Sequence, residues 1–270
     1  VIDDIDALQK IIDVIGGGDA SVSLVSVNSL RHKALFKLAD KFGCEVDEAV
    51  DLLRRVEQAG FQPGLAFHVG SQCQEPAAYS AAMDVIDQVI TAAGVNLHYL
   101  DVGGGFPVDY VNDIPQPLTD YFDVIKESAK KLNLRGDCTL MCEPGRALVA
   151  SGCTLIVQVH LRKGADLYIN DGVYHSLSET MVCGLELPMR LIRETPSTEE
   201  HAPFRIYGPT CDCTDVLQKP AMLPADVQEG DWIEIGQAGA YTNSMSTQFN
   251  GFYPETFVTV DSPPFLPGSS

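Results

Sequence analysis

The chain has 270 residues, of which 45% are hydrophobic and 20% charged, a composition typical of a globular protein with a sizeable core. Its 37 acidic residues outnumber its 18 Lys and Arg residues and give a formal net charge of −19, which argues against nucleic acid or an anionic membrane as a partner, because like charges repel. No apolar run approaches the roughly 20 residues of a membrane-spanning helix, and the acidic N-terminal stretch VIDDIDALQK is not typical of a signal peptide.

Alternating helical and strand patterns in the first half of the chain predict βα units around a parallel sheet of four strands. Four such strands are half of a (β/α)8 barrel, which has eight strands in about 250 residues. The predicted helices are Asp3–Ile15, Lys33–Phe42, Val46–Ala59, Pro76–Ala93 and Leu118–Leu132, and the predicted strands are Ser21–Val27, Gly64–Val69, Val95–Val102 and Cys138–Cys142.

The pattern changes near residue 150 to apolar runs separated by Gly, Pro and polar turns, which predicts an all-β domain. We therefore expect a partial (β/α)8 barrel in residues 1–148 and a β domain in residues 149–270. The acidic stretch Glu194–Pro203 is predicted to be an exposed loop. The predicted strands of the second domain are Ala147–Arg162, Leu167–Asn170, Phe204–Tyr207, Asp231–Ile235 and Thr256–Val260.

Eight cysteines are scattered through the predicted helices and strands without a regular framework. No CxxC pair has the spacing of a zinc site. This usage predicts reduced thiols, a cytoplasmic location and no metal site. The cysteines are Cys44, Cys73, Cys138, Cys142, Cys153, Cys183, Cys211 and Cys213.

Polar residues follow three predicted strands of the barrel at their carboxyl ends, where α/β barrels place their active sites. They are His68 and Ser71, then Gly103–Gly105, then Glu143 and Arg146. Glycine N–H groups and an arginine suit a phosphate, a carboxylate suits a protonated ring nitrogen, and a histidine can stack on a ring. Together they predict a site for a phosphorylated nitrogen heterocycle.

Each of these residues also has a simpler structural interpretation. The glycines fit a tight turn after a strand, because glycine tolerates positive φ. His68 fits a hydrogen-bonded core histidine, and Glu143 with Arg146 fits a local ion pair. The joint explanation accounts for all of them at once.

The second domain contributes two further candidate segments, GPTCDCTD at residues 208–215 and GQAGAYT at residues 236–242. Cys211 is a candidate proton donor beside Asp212, a candidate cation-binding carboxylate. The hydroxyl of Tyr241 is a candidate phosphate ligand. A buried apolar cysteine and a half-buried strand tyrosine are the structural alternatives.

Six motifs in this order resemble the ornithine decarboxylase family, the fold-type III group of pyridoxal-phosphate-dependent decarboxylases of basic amino acids. The resemblance runs from about residue 1 to 262. The motifs are HVGSQC (68–73), LDVGGGFP (100–107), EPGR (143–146), YINDGVY (168–174), GPTCDCTD (208–215), and GAYT with FNGF (239–242, 249–252).

The resemblance implies an α/β plus all-β fold, an alanine-racemase-like (β/α)8 barrel followed by a β-sandwich or Greek-key β domain. It implies pyridoxal phosphate as cofactor and a small basic L-amino acid as substrate, with conversion of ornithine to putrescine in polyamine biosynthesis as the favoured reaction. It also implies a head-to-tail homodimer with shared active sites.

The resemblance assigns a role to each candidate residue. Glu143 would pair with the pyridinium nitrogen, Cys211 would protonate the carbanion left by carbon dioxide, and Asp212 would bind the distal amine of the substrate. The residues assigned to the cofactor ring and phosphate are His68 for stacking, and Ser71, Gly103, Gly104, Gly105, Arg146 and Tyr241 for the phosphate.

The lysine that carries the cofactor in this family lies in a motif like YAVK on an early barrel strand, and no such motif occurs here. Two explanations stay open. The sequence is part of a longer enzyme, which we favour, or it is a non-catalytic paralogue resembling antizyme inhibitors. The lysines of the first half are Lys10, Lys33, Lys37, Lys41, Lys126, Lys130 and Lys131, and all fall in helical or linker patterns.

A second departure concerns the substrate. By counting from NDGVY, Cys183 stands where ornithine-type enzymes carry an aspartate. We therefore expect Cys183 at the substrate and Asp212 as the main anchor of the distal ammonium, with Glu179 or Glu186 as the alternative carboxylates.

Overall fold

The computed structural model describes residues 1–16, 22–28, 34–36, 41–262 and 264–268. The chain divides into two compact units. Unit 1 is Val1–Pro107 with Pro115–Gly145, and unit 2 is Val108–Ile114 with Arg146–Ser270. The division into residues 1–148 and 149–270 stays a prediction. Among the described residues, no helix is both long and apolar enough to span a membrane.

Unit 1 is built on a parallel sheet of four strands in the order β1-β3-β5-β6. A short antiparallel pair, β2 with β4, lies beside it in the same unit. The elements of unit 1 are α1 (Ile5–Ile15), β1 (Val22–Ser26), β2 (Ala34–Phe36), α2 (Val46–Gln58), β3 (Gln62–Ala66), β4 (Ser71–Cys73), α3 (Ala77–Ala93), β5 (Tyr99–Asp101), α4 (Leu118–Ala129) and β6 (Thr139–Met141).

The helices of unit 1 form because their apolar residues recur on one face. In α2, Ala49, Leu52, Leu53 and Val56 are buried, at the spacing of one helical stripe. The side chain of Glu48 accepts a hydrogen bond from the backbone N–H of Glu45, which satisfies a donor at the start of that helix. The long helix α3 ends at a glycine in the left-handed conformation, a common helix terminator.

Unit 2 contains a mixed sheet of six strands in the order β11-β10-β8-β7-β12-β9, in which only β8 and β10 are parallel neighbours. A single apolar cluster underlies it and includes Val159, Leu167, Phe204 and Ile233. The elements are α5 (Gly145–Val149), which begins at the end of unit 1, then β7 (Leu155–Lys163), β8 (Asp166–Ile169), α6 (Ser178–Val182), β9 (Met189–Ile192), β10 (His201–Tyr207), β11 (Ala221–Pro224) and β12 (Trp232–Ile235).

The predicted fold class, an α/β half barrel followed by a β domain, is confirmed. The helix predicted at Lys33–Phe42 is wrong, because Ala34–Phe36 is strand β2, paired antiparallel with β4. Pairing with a segment 35 to 39 residues away along the chain overrides the local helical pattern. Residues 33 and 37–40 of that predicted helix lie outside the described residues, and residues 41 and 42 are not helical.

Two predictions for the second domain are wrong in part, since β7 does cover Leu155–Arg162 and no strand covers residues 194–200, and a third is wrong throughout. The segment starting at Ala147 is helical before β7 begins, since α5 and a 3-10 turn cover it. The loop predicted over Glu194–Pro203 ends early, because β10 starts at His201 and pairs with β11. Thr256–Val260 is not a strand: its alternating residues are exposed, and a strand needs a paired neighbour as well as a pattern.

All eight cysteines lie among the described residues, and all are free thiols. Cys44 and Cys73 are buried in unit 1, whereas Cys142, Cys211 and Cys213 are exposed.

Gly103 and Gly94 provide a matched pair of substitutions in unit 1. Both adopt left-handed φ angles, +68° and +67°. A methyl group at Gly103 would overlap the carbonyl oxygen of Phe67, whereas one at Gly94 would meet open space. Both alanine variants lose about 1 kcal/mol to backbone strain, and we expect Gly103→Ala to lose about 2 kcal/mol more because of the overlap.

Urea unfolding of the two variants measures this difference. Equal losses of unfolding free energy in Gly103→Ala and Gly94→Ala would mean that the close packing at Gly103 does not constrain the fold.

Candidate active site

The carboxyl ends of β3, β5 and β6 lie side by side in unit 1. Ala66 is in register with Asp101, and Asp101 with Met141. Backbone hydrogen bonds continue past the strands, from Val102 N to Met141 O at 3.0 Å and from Glu143 N to Gly103 O at 2.8 Å. The segments carrying His68, Gly103–Gly105 and Glu143 are therefore held against one another, as expected for adjacent parallel strands.

The three glycines are required by how closely this turn packs. Side chains at Gly103 and Gly105 would overlap the carbonyl oxygens of Phe67 and Gly70. At Gly104, a Cβ atom would lie 2.7 Å from the carbonyl oxygen of Glu143 and 3.0 Å from His68 Nε2. The structural interpretation of the glycines, a tight turn, thus holds whatever else the turn does.

The three glycine N–H groups of the turn differ in whether they have a hydrogen-bond acceptor. The N–H of Gly103 donates to Asp101 Oδ1 at 2.8 Å. Among the described residues, the N–H groups of Gly104 and Gly105 have no hydrogen-bond acceptor. The hydroxyl of Tyr79 donates to the carbonyl oxygen of Gly104 at 2.8 Å, which fixes the peptide plane. Two adjacent donors are available for an anion, not three.

His68 is half-buried next to this turn. The backbone N–H of Gly70 donates to His68 Nδ1 at 2.9 Å, so the neutral ring carries its proton on Nε2. Burial lowers the pKa of His68, and the opposing effect of the Asp101 carboxylate is smaller. An uncharged imidazole at this position suits contact with the face of a flat ring.

Glu143 follows β6 and is exposed. Desolvation of its carboxyl group by the surrounding residues raises the pKa of Glu143, and the nearby Asp101 carboxylate raises it further. Among the described residues, no side chain forms an ion pair or hydrogen bond with this carboxylate. Such a carboxylate is suited to a cationic partner, because a neighbouring positive charge would lower its pKa again.

Ser71 begins β4, which pairs with β2 in unit 1, and Phe36 is its partner in register. The next residue, Gln72, is fully buried and has a positive φ of 54°. Ser71 therefore lies next to a constrained backbone position, five residues after the strand β3 ends at Ala66.

Arg146 lies in unit 2 and is buried, with 4% of its surface exposed. Its guanidinium forms a two-bond pair with Glu179, at 2.7 and 2.8 Å, and donates to the hydroxyl of Tyr110 at 2.8 Å. The ring of Tyr241 lies 5.0 Å from the guanidinium carbon. Burial alone would lower the pKa of Arg146, but the bonds from Glu179 and Tyr110 outweigh it and raise the pKa above its usual range.

The sequence predicted an ion pair between Arg146 and Glu143 as the simpler interpretation, and this is wrong because the carboxylate paired with Arg146 is Glu179. Cys183 donates a weak hydrogen bond to the same Glu179 carboxylate at 3.5 Å. Burial and the charge of Glu179 raise the pKa of Cys183 to about 12, so the thiol is uncharged at neutral pH. Glu179 is thus bound to Arg146, while Glu186 accepts a hydrogen bond from Asn112.

Asp212 sits in a hydrogen-bonded group with Thr214 and Tyr174 in unit 2. The backbone N–H and the hydroxyl of Thr214 both donate to Asp212 Oδ1 at 2.8 Å, and the hydroxyl of Tyr174 donates to Oδ2 at 2.8 Å. These bonds, the backbone one first, lower the pKa of Asp212. The neighbouring Cys211 is exposed, and the side-chain amide of Asn250 donates to its sulfur at 3.6 Å.

Three residues of these groups, Asp101, Tyr110 and Thr214, were not predicted from the sequence, and Glu179 was predicted only as an alternative carboxylate for the substrate. Asp101 is the last residue of a buried strand inside the LDVGGGFP motif, so its place at the strand end could have been predicted from the sequence. Glu179, Tyr110 and Thr214 reach their partners through contacts 33, 36 and 2 residues apart, and only the last is visible as a local pattern.

Half of an α/β barrel with a glycine turn, a histidine and a carboxylate at its strand ends, followed in the chain by a β domain, defines the class of fold-type III pyridoxal phosphate proteins. The chain belongs to the pyridoxal-dependent decarboxylase family, since residues 1–150 match the pyridoxal-binding domain of that family. Pyridoxal phosphate is accordingly its cofactor.

Similar proteins carry the names of several decarboxylases. The chain is 33% identical to the lysine/ornithine decarboxylase of Selenomonas ruminantium over 97% of this chain and 67% of that protein. It is 30% identical to the ornithine decarboxylase of Schizosaccharomyces pombe over 88% of this chain and 57% of that protein. The arginine decarboxylase of Paramecium bursaria Chlorella virus superposes with a TM-score of 0.81 at 29% identity, over 93% and 69% of the two chains.

The chain therefore spans between about half and two thirds of the length of the curated relatives it matches. Within unit 1, the residues present fit the cofactor. Two adjacent backbone donors suit its phosphate, and a carboxylate with no ion pair to a Lys, Arg or His side chain of the described residues suits its ring nitrogen.

We predict that the Arg146–Glu179 pair stabilises unit 2. Replacing Glu179 by Gln leaves the buried guanidinium without its counter-charge, which costs about 3 kcal/mol of unfolding free energy. The matched control is Glu127→Gln, which removes the carboxylate of an exposed pair with Lys130 and leaves stability unchanged, because water already solvates both groups. A Glu179→Gln variant as stable as the control, by urea unfolding, would contradict the prediction.

We predict that His68 makes the stability of unit 1 depend on pH. Its folded-state pKa lies below the ordinary value of 6.5, so the unfolded chain takes up the proton first as pH falls. The contribution of the neutral His68 is fully present above pH 6.5 and is lost as pH falls from there through the folded-state pKa. The slope of unfolding free energy against pH that it adds is at most about 1.4 kcal/mol per pH unit.

Chemical denaturation between pH 7 and pH 5 measures that slope in wild type, His68→Gln and His160→Gln, the last being an exposed histidine of unit 2. We expect only His68→Gln to flatten it. An unchanged slope in His68→Gln would mean that another group is responsible.

Proposed function

We propose that the protein containing this chain decarboxylates a basic L-amino acid with pyridoxal phosphate, and that ornithine, converted to putrescine, is its first substrate. The observation that carries the proposal is the strand-end group of unit 1, where the N–H groups of Gly104 and Gly105, which have no acceptor within the described part of the chain, lie next to His68 and Glu143. The names of the relatives support the reaction, because most of them are decarboxylases of ornithine or lysine.

Each residue of unit 1 has a defined task in this proposal. Pyridoxal phosphate, when bound, supplies an electron sink for the bond that breaks. Glu143 holds the proton on the ring nitrogen, and the neutral His68 stacks on the ring. The backbone N–H groups of Gly104 and Gly105 bind the phosphate, with Ser71 as a further donor, while Gly103 shapes the turn through its bond to Asp101.

Arg146 and Tyr241 are assigned to the phosphate by the resemblance alone. The guanidinium of Arg146 already forms two bonds to Glu179 and contacts the ring of Tyr241. The bonds to Glu179 and Tyr110 use three of the five N–H donors of the guanidinium, so the pairing with Glu179 does not by itself exclude a bond to phosphate.

The residues proposed to act on the substrate, Cys211 and Asp212, lie in unit 2. Cys211 is the proposed proton donor to the carbon that has lost carbon dioxide, and its exposure fits a group that must reach a reacting atom. Asp212 is the proposed anchor of the distal ammonium, since its carboxylate is held in the charged form. We further propose that both act in the site of the partner subunit of a head-to-tail homodimer.

The choice among basic amino acids depends on Cys183 and Asp212. Cys183 carries no charge at neutral pH and so offers no ion pair to an ammonium group. Asp212 is then the principal anchor, and a single anchor discriminates weakly between side chains of different length. Relatives named for ornithine, lysine, arginine and diaminopimelate are consistent with such variation of substrate.

The eight free thiols support a reducing compartment, and we propose a cytoplasmic enzyme of polyamine synthesis. The alternative is a non-catalytic paralogue that keeps the fold. It is favoured by the lysines of unit 1: those described lie in helices α1 and α4, in the turn at Lys41, or just after α4, and none lies on a strand of the parallel sheet. Lys33 and Lys37 lie outside the described residues.

Carbon dioxide release by the purified complete protein tests the proposal, with L-ornithine, L-lysine and L-arginine as substrates. We expect turnover of ornithine and a covalently bound cofactor after borohydride reduction. A protein that binds the cofactor but releases no carbon dioxide from any of the three would favour the paralogue.

We predict that Cys211→Ala slows turnover at least about tenfold while cofactor binding stays unchanged, because the cysteine acts on the reacting carbon and not on the cofactor. Cys213→Ala, which alters an equally exposed cysteine two residues away, is the matched control and keeps full activity. Rate and cofactor affinity that fall together in Cys211→Ala would instead identify Cys211 as a structural residue.

A further inference from the structure

The half-exposed Asp212 carboxylate accepts three hydrogen bonds from two neighbouring residues, Thr214 and Tyr174. Thr214 uses both its backbone N–H and its hydroxyl on the same oxygen, Oδ1, at 2.8 Å each. The hydroxyl of Tyr174 takes the other oxygen, Oδ2, at 2.8 Å, and lies 2.9 Å from the hydroxyl of Thr214. Thr214 is itself exposed, so these bonds are not forced on it by burial in the core.

We propose that Thr214 is a positioning residue, which turns the Asp212 carboxylate so that one remaining acceptor position of Oδ2 faces the distal ammonium of the substrate. This inference rests on the proposed function, because it takes Asp212 as the substrate anchor. It adds the residue that fixes the direction in which the anchor points.

A count of acceptor positions explains the arrangement. An ionised carboxylate has about four positions for donors, two on each oxygen. Thr214 fills both positions on Oδ1, and Tyr174 fills one on Oδ2, which leaves one position on Oδ2. The hydroxyls of Tyr174 and Thr214 also lie within hydrogen-bond distance of each other, at 2.9 Å, so the two hydroxyls and the carboxylate form one connected group.

Tyr174 has its own supports, independent of Thr214. Its ring packs against Phe249 with centroids 5.0 Å apart, and the hydroxyl of Thr247 donates to its carbonyl oxygen at 2.8 Å. Removal of the Thr214 hydroxyl therefore leaves Tyr174 in place and takes away one of the two bonds to Oδ1, while the backbone N–H of residue 214 still donates to that oxygen. With one bond fewer, the carboxylate rotates over a wider range about its bond to Cβ, and the remaining acceptor position is less closely fixed in direction.

The test compares Thr214→Val with Thr214→Ser in the complete protein loaded with its cofactor. Valine matches the shape of threonine and keeps the backbone N–H, whereas serine restores the hydroxyl. We expect Thr214→Val to raise KM for ornithine about fivefold with kcat within about twofold of wild type, because ground-state binding of the ammonium is what it weakens. Thr214→Ser restores the wild-type KM, and the control Thr256→Val, at an exposed threonine of the same unit, leaves both constants unchanged.

A double-mutant cycle with Asp212→Asn connects the effect to the carboxylate. If Thr214 acts through Asp212, adding Thr214→Val to Asp212→Asn changes KM no further. An effect of Thr214→Val that persists at full size in the Asp212→Asn background would overturn the proposal, as would a loss of kcat with KM unchanged.

Putrescine binding, measured by calorimetry, separates this inference from the proposed reaction because it requires no turnover. We expect Thr214→Val to weaken putrescine binding about fivefold, the same factor as for KM. If the unsubstituted protein releases no carbon dioxide but shows this difference, the proposed function fails and the role of Thr214 stands. If putrescine binds Thr214→Val as tightly as wild type, or binds neither protein, the role of Thr214 is overturned.

Discussion

The close approach of the glycine turn to the neighbouring backbone is the constraint on which unit 1 depends. Gly103 and Gly105 bring the chain so near the carbonyl oxygens of Phe67 and Gly70 that no side chain fits between them. This contact fixes where β5 leaves the sheet relative to β3, and the bond from Glu143 N to Gly103 O extends the constraint to β6. Three strand ends are thereby held at fixed spacing.

The same packing determines which polar groups remain available. The N–H of Gly103 is used by Asp101, and the carbonyl oxygen of Gly104 by Tyr79. What remains, the N–H groups of Gly104 and Gly105 and the carboxylate of Glu143, forms no hydrogen bond with a side chain or backbone group of the described residues. A structural turn and an anion site are therefore one arrangement and not competing explanations of the same glycines.

Two carboxylates of unit 2, Glu179 and Asp212, have different kinds of hydrogen-bond partner. Arg146 and Glu179 form a buried two-bond pair, and such a pair is costly to break because either partner alone would be a buried unpaired charge. Asp212 is instead half-exposed and held by neutral donors, and no Lys, Arg or His side chain in the described ranges pairs with it. The Arg146–Glu179 pair is suited to stabilising the fold, and Asp212 is suited to binding the cation of a ligand.

The parallel sheet could be predicted from the sequence because short apolar runs alternate along the chain with helices that have a clear apolar stripe, as in α2 and α3. Glycine, histidine and glutamate positions at strand ends were likewise readable, since the motifs are contiguous. Strand β2 could not be predicted, because its pairing with β4 is decided by residues far along the chain. The partner of Arg146 could not be predicted for the same reason. Glu179 is 33 residues away along the chain and lies in a short helix that has no recognisable sequence pattern.

A crystal structure of the complete protein with pyridoxal phosphate is the most direct test of the central claim, that the strand ends of unit 1 hold this cofactor. The account predicts the ring nitrogen about 2.8 Å from a Glu143 oxygen, the His68 imidazole against the ring face, and phosphate oxygens accepting from the N–H groups of Gly104 and Gly105. A phosphate bound away from that turn, or a ring nitrogen that faces another residue, would contradict it.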